Sequence, residues 1–447
     1  MKVAIIGYGV EGASSYEYYT EHGHEVTICD QSPATAVPDG AQTQLGSSYL
    51  DDLDRFDLLV RSAGIPPRVI LDKSPDAGDK ITTQLNEFLR VCPTKNVIGV
   101  TGTKGKGTTA TLITKMFETA GRKVHLGGNI GVPPFSFLRD LTPDSWVVLE
   151  LSSFQLIDIQ FSPHIAVCLM VVPEHLNWHA SMYEYILAKS QLFEHQTPGD
   201  SAIYFSGSKN SEQIAAAGKG RKIPYFAPPG AAIDNGAISI SGQVVCPTSE
   251  IKLLGRHNWQ NACAAVTAAW EAGLRDTQAM RAVLTSFAGL EYHLEFIRDL
   301  NGVQYYNDSF GTTPETAIVA LEAFQQPKVL ILGGGYKGVS FDELARVLKD
   351  NTVRRVVLIG NPDYPDDAKR QTAAPELEAA LRAQHFDTVT SLVRPGGADM
   401  REIVEAAQKA AQPGDIILFS TACNSFDMFN NYKERGAAFT AAVKALR

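Results

Sequence analysis

A glycine-rich turn between an apolar stretch and a helix-forming stretch most restricts how this chain can fold. Residues 97–111 read VIGVTGTKGKGTTAT, which predicts a buried strand at 97–100, a turn at 102–107 and a helix at 108–120. A strand, a glycine turn and a helix in this order form a phosphate cradle, because backbone N–H groups and the helix N-terminus face the anion. The stretch therefore predicts a nucleoside triphosphate site in an α/β sheet; the alternative, a plain structural loop, fits this context less well.

The same turn supplies side chains that a triphosphate and Mg²⁺ require. Lys106 adds a full positive charge beside the phosphates. Gly107 occupies the usual Ser/Thr position of the phosphate-loop pattern, so the metal-binding hydroxyl is expected from Thr108 or Thr109. Mg²⁺ prefers oxygen ligands, and Glu150, at the end of a later apolar stretch, is the predicted acidic ligand.

A second glycine turn, GYGVEG at residues 7–12, follows a predicted strand at 3–6. A further strand at 25–29 ends on Asp30, which lies at the distance expected of an acidic residue that binds ribose hydroxyls. On its own this pattern predicts an NAD-dependent dehydrogenase. Too few residues separate it from the phosphate turn for the two halves that a dinucleotide needs, so we predict that one nucleotide is bound.

Chain length and the breaks in pattern predict three domains. The chain has 447 residues, and a typical domain has about 100–200. A third strand at 58–62 leads to another glycine turn at Gly64, which completes a small Rossmann-like domain. We predict a Rossmann-like domain at 1–93, a phosphate-loop ATPase domain with a parallel sheet at 94–293, and a Rossmann-like C-terminal α/β domain at 294–447.

Charge and cysteine usage exclude several classes of partner. The net charge of −9 argues against nucleic acid as a partner, because phosphate backbones bind basic surfaces. The six cysteines include no C-x-x-C pair, which is typical of reduced thiols in the cytoplasm. No apolar stretch approaches the ~18 residues of a membrane helix. We expect a cytoplasmic protein that binds neither nucleic acid nor membrane.

The remaining pattern alternates strands with helices. In the central domain, strands are predicted at 123–126, 146–151 and 165–172, and a helix at 183–196 carries Lys189. Short antiparallel strands and loops are predicted over 205–247, before a helix that begins near residue 255. In the last domain, the predicted strands are 303–306, 328–332, 355–359 and 415–419. The helices predicted there are 315–323, 341–349, 375–384, 400–411 and 428–446.

An ordered set of motifs spans residues 99–429. They are TGTKGKGTT, GGNIG, ELSSFQL, EHLNWH, AK at 188–189, GRHNWQN, NDS at 307–309, LGGGYKG and STACNSFDMF. In this order they resemble the Mur ligase family, the ATP-dependent amide ligases that build the peptidoglycan stem peptide. ELSSFQL and ACNSFDMF are most similar to the members that add D-glutamate.

The resemblance implies a three-domain fold and a defined reaction. ATP would phosphorylate the terminal carboxylate of UDP-N-acetylmuramoyl-L-alanine, and the amine of glutamate would attack the resulting acyl phosphate. A carboxylate is a poor acyl donor, and phosphoryl transfer is catalysed chiefly by positioning and charge neutralisation. The expected partners are these small-molecule substrates, and the expected oligomeric state is a monomer.

The resemblance also implies roles for matching residues. The implied catalytic residues are Lys106, His175, Lys189 and Asp308. The implied ATP contacts are Gly102, Thr103, Lys104, Gly105, Lys106, Gly107, Thr108, Thr109, Asn129, His257, Asn258 and Asn261. The implied ligands of two Mg²⁺ ions are Thr108 or Thr109, Glu150, His175 and Lys189, the lysine as an N-carboxylated (carbamylated) side chain. The implied contacts of the UDP moiety are Gly7, Gly9, Gly12, Asp30 and Gly64, and those of glutamate are Thr312, Lys337, Ser425 and Phe426.

Several departures from the family pattern leave alternatives open. Phe310 and Leu294 stand where the family usually has Lys and Arg, whereas Lys104 replaces an asparagine. The same reaction with L-glutamate is one alternative. A ligase like the folylpolyglutamate synthases is another, which Gly107 favours and the N-terminal domain disfavours. An inactive relative that binds nucleotide for regulation is a third.

Overall fold

Two compact units, Met1–Phe287 and Ala288–Arg447, make up the chain, and each is built on largely parallel β-sheets. The structure is a computed structural model that describes residues 1–174, 178–253, 255–367 and 370–447. Its parallel sheets and flanking helices confirm the predicted α/β fold. Within these described ranges, no helix is both long and apolar enough to span a membrane.

The first sheet contains five parallel strands in the order β3-β2-β1-β4-β5. The strands are β1 (Lys2–Ile6), β2 (Glu25–Asp30), β3 (Gln42–Leu45), β4 (Leu58–Arg61) and β5 (Ile81–Thr83), and the helices are α1 (Val10–Glu21), α2 (Pro67–Leu71) and α3 (Gln84–Val91). The GYGVEG turn joins β1 to α1. A Cβ added to Gly12 would lie 2.4 Å from the carbonyl oxygen of Gly7, so only glycine allows the helix to start this close to the strand.

The second sheet of the first unit contains six parallel strands in the order β11-β10-β9-β6-β8-β7. The strands are β6 (Val97–Thr101), β7 (Val124–Gly128), β8 (Trp146–Glu150), β9 (Ile165–Cys168), β10 (Ser201–Phe205) and β11 (Arg221–Tyr225). The helices are α4 (Lys106–Thr119), α5 (Ser153–Leu156), α6 (Met182–Glu194), α7 (Lys209–Ala215), α8 (Arg256–Glu271) and α9 (Thr277–Ser286). Because β6 lies between β8 and β9, the segments that follow these three strands meet at one edge of the sheet.

Two predictions for this sheet were wrong. The region 205–247 was predicted to hold only antiparallel strands and loops, but it contributes α7 and the parallel edge strand β11, and only β12 (Ala232–Asp234), β13 (Ala237–Ile240) and β14 (Gln243–Pro247) are antiparallel. The strand predicted at 165–172 ends at Cys168. The apolar residues beyond it bind the phosphate turn: the amide N–H of Thr103 donates to the Met170 carbonyl at 2.8 Å.

The second unit is one six-stranded sheet in the order β15-β16-β20-β17-β18-β19, in which only the pairing of β15 with β16 is antiparallel. The strands are β15 (Glu295–Leu300), β16 (Val303–Asn307), β17 (Lys328–Gly333), β18 (Val353–Ile359), β19 (Val389–Ser391) and β20 (Ile416–Phe419). The helices are α10 (Pro314–Glu322), α11 (Asp342–Asp350), α12 (Ala374–Ala383), α13 (Met400–Ala410) and α14 (Tyr432–Ala445). The helix predicted to begin at 428 begins at Tyr432, because the Asn431 side chain caps it by accepting from the amide of Glu434.

Candidate active site

The phosphate turn is shaped by glycines that no other residue could replace without strain. Gly102 has φ +145° and Gly105 has φ +85°, both in the region that favours glycine. A Cβ on Gly102 would lie 2.7 Å from the Cβ of Leu169, and one on Gly105 would lie 2.2 Å from Oδ1 of Asn261. Helix α4 begins at Lys106, earlier than predicted, so its N-terminal N–H groups belong to the turn itself.

Lys106 folds back over this turn. Its Nζ donates to the carbonyls of Gly102 at 3.1 Å and Thr103 at 3.0 Å, and lies 3.9 Å from Oε1 of Glu150. The lysine side chain is partly exposed, whereas Glu150 is buried at the end of β8. The turn therefore places the partly exposed ammonium group of Lys106 beside the buried carboxylate of Glu150.

Two buried oxygens near the turn have no hydrogen-bond partner among the described residues. They are Oε2 of Glu150 and Oγ1 of Thr109, which lies in the first turn of α4. Burial raises the pKa of Glu150, while Lys106, Asn129 and Lys189 oppose that rise. Buried oxygens left without a partner are costly, and a hard divalent cation satisfies such donors.

Of the predicted metal ligands, Glu150 and Thr109 carry oxygens that suit Mg²⁺. Asn129 supports Glu150 through its side chain, and its amide N–H donates to the Glu150 carbonyl at 2.8 Å. His175, predicted to bind the second ion, lies outside the described residues. In the described ranges, no group of three or more His, Cys, Asp or Glu side chains is placed to hold a metal, so the fit rests on oxygens of Glu150 and Thr109.

Lys189 lies beneath the phosphate turn and is 1% exposed. Its Nζ donates to the carbonyl of Gly102 at 2.9 Å and lies 4.5 Å from the ring centre of Tyr185. Burial, and then the positive charge of Lys106, lower the pKa of Lys189 to about 7. A lowered pKa favours the unprotonated amine, which is the nucleophilic form of lysine.

The start of α8 carries the predicted ATP contacts His257, Asn258 and Asn261, and brings Asn261 to the phosphate turn. Asn261 lies against Gly105 and donates through Nδ2 to Oδ1 of Asn258 at 2.9 Å. His257 is the neighbouring residue, and burial lowers its pKa, which favours the neutral ring. Lys104, on the outer side of the turn, forms an ion pair of 2.7 Å with Glu174.

The predicted UDP residues lie around the GYGVEG turn. Both oxygens of Asp30 are engaged: Oδ2 accepts from the amide of Tyr8 at 2.7 Å, and Oδ1 accepts from the Ser32 amide and the Thr35 hydroxyl. Burial acts to raise the pKa of Asp30, but these hydrogen bonds outweigh it and lower the pKa. The Asp30 carboxylate thus stabilises the turn, and a ribose hydroxyl would donate to an oxygen that already accepts a hydrogen bond from the protein.

Polar contacts connect the first sheet and its glycine turns to the segments that follow β8 and β9. Gln155 donates through Nε2 to Oε1 of Glu11 at 2.8 Å, and buried Arg61 forms a two-point ion pair with Asp158 at 2.7 Å for each contact. The Gly64 carbonyl accepts from the indole of Trp178 at 3.2 Å. The predicted UDP and phosphate sites therefore lie in one packed unit.

The second unit contains Asp308 and the residues that were predicted to bind glutamate. Nζ of Lys337 donates to the hydroxyl of Thr312 at 2.9 Å. Ser425 is buried in the turn after β20, whereas Phe426 beside it is 45% exposed. Asp308 is buried, accepts from the Ser420 hydroxyl at 2.7 Å, and has a pKa raised by burial to about 7.

Two of the departures from the family pattern, Phe310 and Leu294, lie near Asp308 in the second unit. Phe310 stacks on His293 with ring centres 3.8 Å apart, and meets Tyr432 edge-on. Leu294 contributes its backbone, because its amide N–H donates to Oδ1 of Asp308 at 3.2 Å. The surface that a lysine and an arginine would make cationic is therefore aromatic and neutral here.

Comparison with known proteins identifies the family. The Mur ligase middle domain matches residues 100–269, and the Mur ligase glutamate ligase domain matches residues 294–423. The UDP-N-acetylmuramoylalanine–D-glutamate ligase of Clostridium kluyveri is 36% identical, over 99% of this chain and 96% of its own length. The chain belongs to the Mur ligase family. The enzyme of the same name from Symbiobacterium thermophilum is also 36% identical, over 100% of this chain and 98% of the relative.

Solved Mur ligases also share the fold. The crystal structure of the MurF ligase from Thermotoga maritima in complex with ADP aligns with a TM-score of 0.57 at 16% identity, over 99% of this chain and 95% of that one. At this low identity the alignment shows a shared fold and nothing more. The shared fold agrees with the three larger α/β sheets of this Mur ligase.

Some contacts at the candidate site of this Mur ligase were missed by sequence reasoning. Tyr185 lies four residues before Lys189 on α6; its hydroxyl lies 3.0 Å from Oγ1 of Thr103, and its ring lies beneath the lysine. The helical spacing was a usable signal for this pair. Arg435 and its contacts to the turns of the second unit had no such signal.

The raised pKa of Asp308 predicts a pH-dependent stability. The folded chain keeps a proton on Asp308 up to about pH 7, whereas the unfolded chain releases it near its ordinary pKa of 3.8. Between these values the folded state binds more protons, so this residue makes the free energy of unfolding fall as pH rises. We expect Asp308→Asn to remove up to about 1.4 kcal/mol per pH unit of that fall.

Urea unfolding of wild type and Asp308→Asn at pH 5, 6, 7 and 8 measures this effect. Asp427→Asn is the matched control, because burial raises the pKa of Asp427 only to about 6, so its contribution should end at lower pH. Parallel pH curves for wild type and Asp308→Asn would contradict the prediction.

Proposed function

We propose that this Mur ligase joins D-glutamate to the L-alanine carboxylate of UDP-N-acetylmuramoyl-L-alanine and converts ATP to ADP and phosphate. The observation that carries the proposal is the full-length match to D-glutamate ligases in a chain whose phosphate turn places Lys106 beside buried Glu150 and Lys189. We place the reaction in the cytoplasm, where ATP is available.

The first chemical step is phosphoryl transfer. An oxygen of the alanine carboxylate attacks the γ-phosphorus of ATP, the bond to the bridging oxygen breaks, and ADP leaves. Lys106 and the N-terminal N–H groups of α4 hold the phosphates and neutralise charge that develops on them. Asn261, beside Gly105, and Asn258, which accepts a hydrogen bond from Asn261, would hold the nucleoside end of ATP.

Glu150, Thr109 and Thr108 are the described residues that would hold Mg²⁺. Bound Mg²⁺ would neutralise phosphate oxygens and orient the phosphates for in-line attack. Lys189 would contribute as a carbamate, which converts its amine into an anionic oxygen donor. Its burial and its pKa of about 7 support this, because only the unprotonated amine reacts with carbon dioxide.

The second chemical step forms the amide bond. The amine nitrogen of D-glutamate attacks the acyl carbon, phosphate leaves, and the nitrogen loses a proton. We propose that Lys337 and Thr312, which are hydrogen-bonded to each other, and buried Ser425 bind glutamate. A lysine suits this role because it attracts a carboxylate.

We propose that each of three domains binds one ligand: residues 1–93 bind the UDP moiety, 94–293 bind ATP, and 294–447 bind glutamate. The five-stranded sheet of the first region supports a separate nucleotide site there. Gly7, Gly9, Gly12, Asp30 and Gly64 are its proposed contacts.

A ligation assay with D- and L-glutamate tests the proposal most directly. Purified protein, ATP, Mg²⁺ and UDP-N-acetylmuramoyl-L-alanine should release phosphate with D-glutamate and yield the UDP-linked dipeptide product. Folate acceptors should give no product. Activity with L-glutamate alone would overturn the D assignment, and no phosphate release with either enantiomer would overturn the proposed reaction.

A further inference from the structure

Arg435 is a buried cation whose donors are all directed to two turns of the second unit. It lies in the first turn of α14 and is 1% exposed. Nε and Nη2 donate to the hydroxyl and carbonyl of Ser309 at 3.0 and 2.8 Å. Nη1 donates to the carbonyls of Cys423 and Asn424 at 3.1 and 2.9 Å.

These contacts are unusual for a buried charge. One hydroxyl and three carbonyls accept from the guanidinium, instead of the carboxylate that normally compensates a buried cation. Burial lowers the pKa of Arg435 to about 10, which still leaves the group charged at neutral pH. A buried cation that is bound only by carbonyls and a hydroxyl lowers the free energy of unfolding of the protein. A functional role therefore accounts for Arg435 better than a stabilising role does.

The two turns that Arg435 joins carry the candidate amino-acid site. Ser309 follows Asp308, and Asn424 precedes Ser425 and Phe426. The Asn424 carbonyl also accepts from the amide of Gly335 at 2.9 Å, two residues before Lys337. One guanidinium therefore connects the segments that carry Asp308, Ser425 and Lys337.

Helix α14 reinforces the same connection. Asn307 donates through Nδ2 to the Gly436 carbonyl at 2.9 Å, and Ser309 donates through its hydroxyl to the Tyr432 carbonyl at 2.8 Å. Gly334 lies in the turn after β17, and a Cβ there would lie 2.3 Å from the Asn424 carbonyl oxygen and 3.2 Å from Nη1 of Arg435. Glycine therefore lets this turn pack against the Asn424 turn and the cation. The planar fork of arginine suits this geometry, because it donates in several fixed directions at once.

The charge of Arg435 also reaches the candidate ligand groups. Burial lowers the pKa of the Lys337 ammonium, and the positive charge of Arg435 lowers it further. Buried Asp308 and Asp427 are the acidic groups that interact with Arg435 through charge. A buried positive charge bonded to both turns favours an anionic ligand near them.

We propose that Arg435 is a positioning residue for the incoming amino acid: it fixes the Ser309 and Asn424 turns relative to each other and supplies positive potential beneath them. The proposal rests on the proposed function, because the amino acid bound there is D-glutamate. The ligand class is an amino acid with a side-chain carboxylate. Arg435 itself does not contact the ligand and acts through the two turns.

Arg435→Lys separates geometry from charge, because lysine keeps the positive charge and loses the planar fork. We expect its KM for D-glutamate to rise about tenfold, the effect of losing hydrogen bonds to a charged donor. The KM for UDP-N-acetylmuramoyl-L-alanine should stay within about twofold, since its proposed site lies in the other unit. A merely structural role would lower the melting temperature and the active fraction without raising the KM for D-glutamate.

Lys328→Met is the matched control. Lys328 is also 1% exposed in the same unit and donates to two backbone carbonyls, of Gln326 and Asn351, but it lies at the opposite end of β17 from the turn. We expect this variant to lose stability with an unchanged KM for D-glutamate. Ser309→Ala removes one acceptor of Arg435 and should raise the KM for D-glutamate by about threefold. This variant replaces Arg435→Lys as the test if Arg435→Lys does not fold.

Wild-type activity with D-glutamate is measured first, so failure of the proposed function is recognised before the variants are compared. With an active wild type, an unchanged KM for D-glutamate in Arg435→Lys would overturn the inference. If that variant does not fold, an unchanged KM in Ser309→Ala would overturn it. An equal rise in KM for Lys328→Met would also overturn it, because any buried cation would then have the same effect.

Discussion

Lys106→Ala is expected to lower kcat on the order of a thousandfold, the cost of removing a preorganised charge from a phosphoryl-transfer site. Lys106 is the partly exposed cation of the phosphate turn, and its Nζ is held by the Gly102 and Thr103 carbonyls beside Glu150. Without it, the γ-phosphate loses a positive charge, and Glu150 loses one of the three neighbours that oppose the rise of its pKa. Phosphate release with ATP, UDP-N-acetylmuramoyl-L-alanine and D-glutamate measures the effect.

The control for this variant is Lys115→Ala. Lys115 lies on the same helix, α4, but its Nζ lies 5.9 Å from the ring centre of Phe287, away from the phosphate turn. We expect wild-type turnover from it. The melting temperature of both variants should show that the fold is retained, and near-wild-type kcat in folded Lys106→Ala would contradict the assignment of the phosphate site.

Lys189→Ala is expected to abolish measurable turnover and to recover part of it when a short carboxylate such as acetate is added. If Lys189 acts as a carbamate, the variant lacks an anionic oxygen donor, which a small acid can replace in the space left by the side chain. That space is bounded by the Gly102 carbonyl and the Tyr185 ring, which Lys189 contacts in the structure. The rate of phosphate release against acetate concentration measures the recovery.

Two comparisons make this result specific. Lys106→Ala with the same acetate should show no recovery, because its missing group is a cation. Lys189→Met, whose side chain fills the space, should show less recovery than Lys189→Ala. Wild-type turnover by Lys189→Ala without acetate would refute a role for the lysine in catalysis.

Local pattern was enough to predict much of the fold. The strand, turn and helix around residues 97–119 follow from residues adjacent in the chain, and the structure has β6, the turn and α4 there. The GYGVEG turn was predicted for the same reason. The strand prediction failed at residues 169–172 because a tertiary contact outweighs the local preference there. These residues have an apolar, strand-like sequence, but they bind the phosphate turn: the Thr103 hydroxyl donates to the Val172 carbonyl.

The proposed roles of Lys189 and Asp308 were accessible to sequence reasoning only through family resemblance, whereas those of Lys106 and Glu150 followed from the phosphate-turn pattern. On its own, Lys189 is an ordinary lysine on a helix, and Asp308 an ordinary aspartate after a strand. What sets them apart is burial, which brings both pKa values to about 7 by opposite shifts. Burial depends on which distant segments cover a side chain, and the sequence around each residue does not contain that information.

By itself, the sequence determined the α/β class, the phosphate turn and the family, because these depend on short-range spacing and on the order of motifs. Only the tertiary structure determined the burial of Lys189 and the lowering of its pKa. It also determined that buried oxygens of Glu150 and Thr109 lack hydrogen-bond partners among the described residues, and that Arg435 connects the turns after β16 and β20. The physical reason is desolvation: the energy of a charge or a hydrogen bond is set by everything packed around it, including segments more than a hundred residues away.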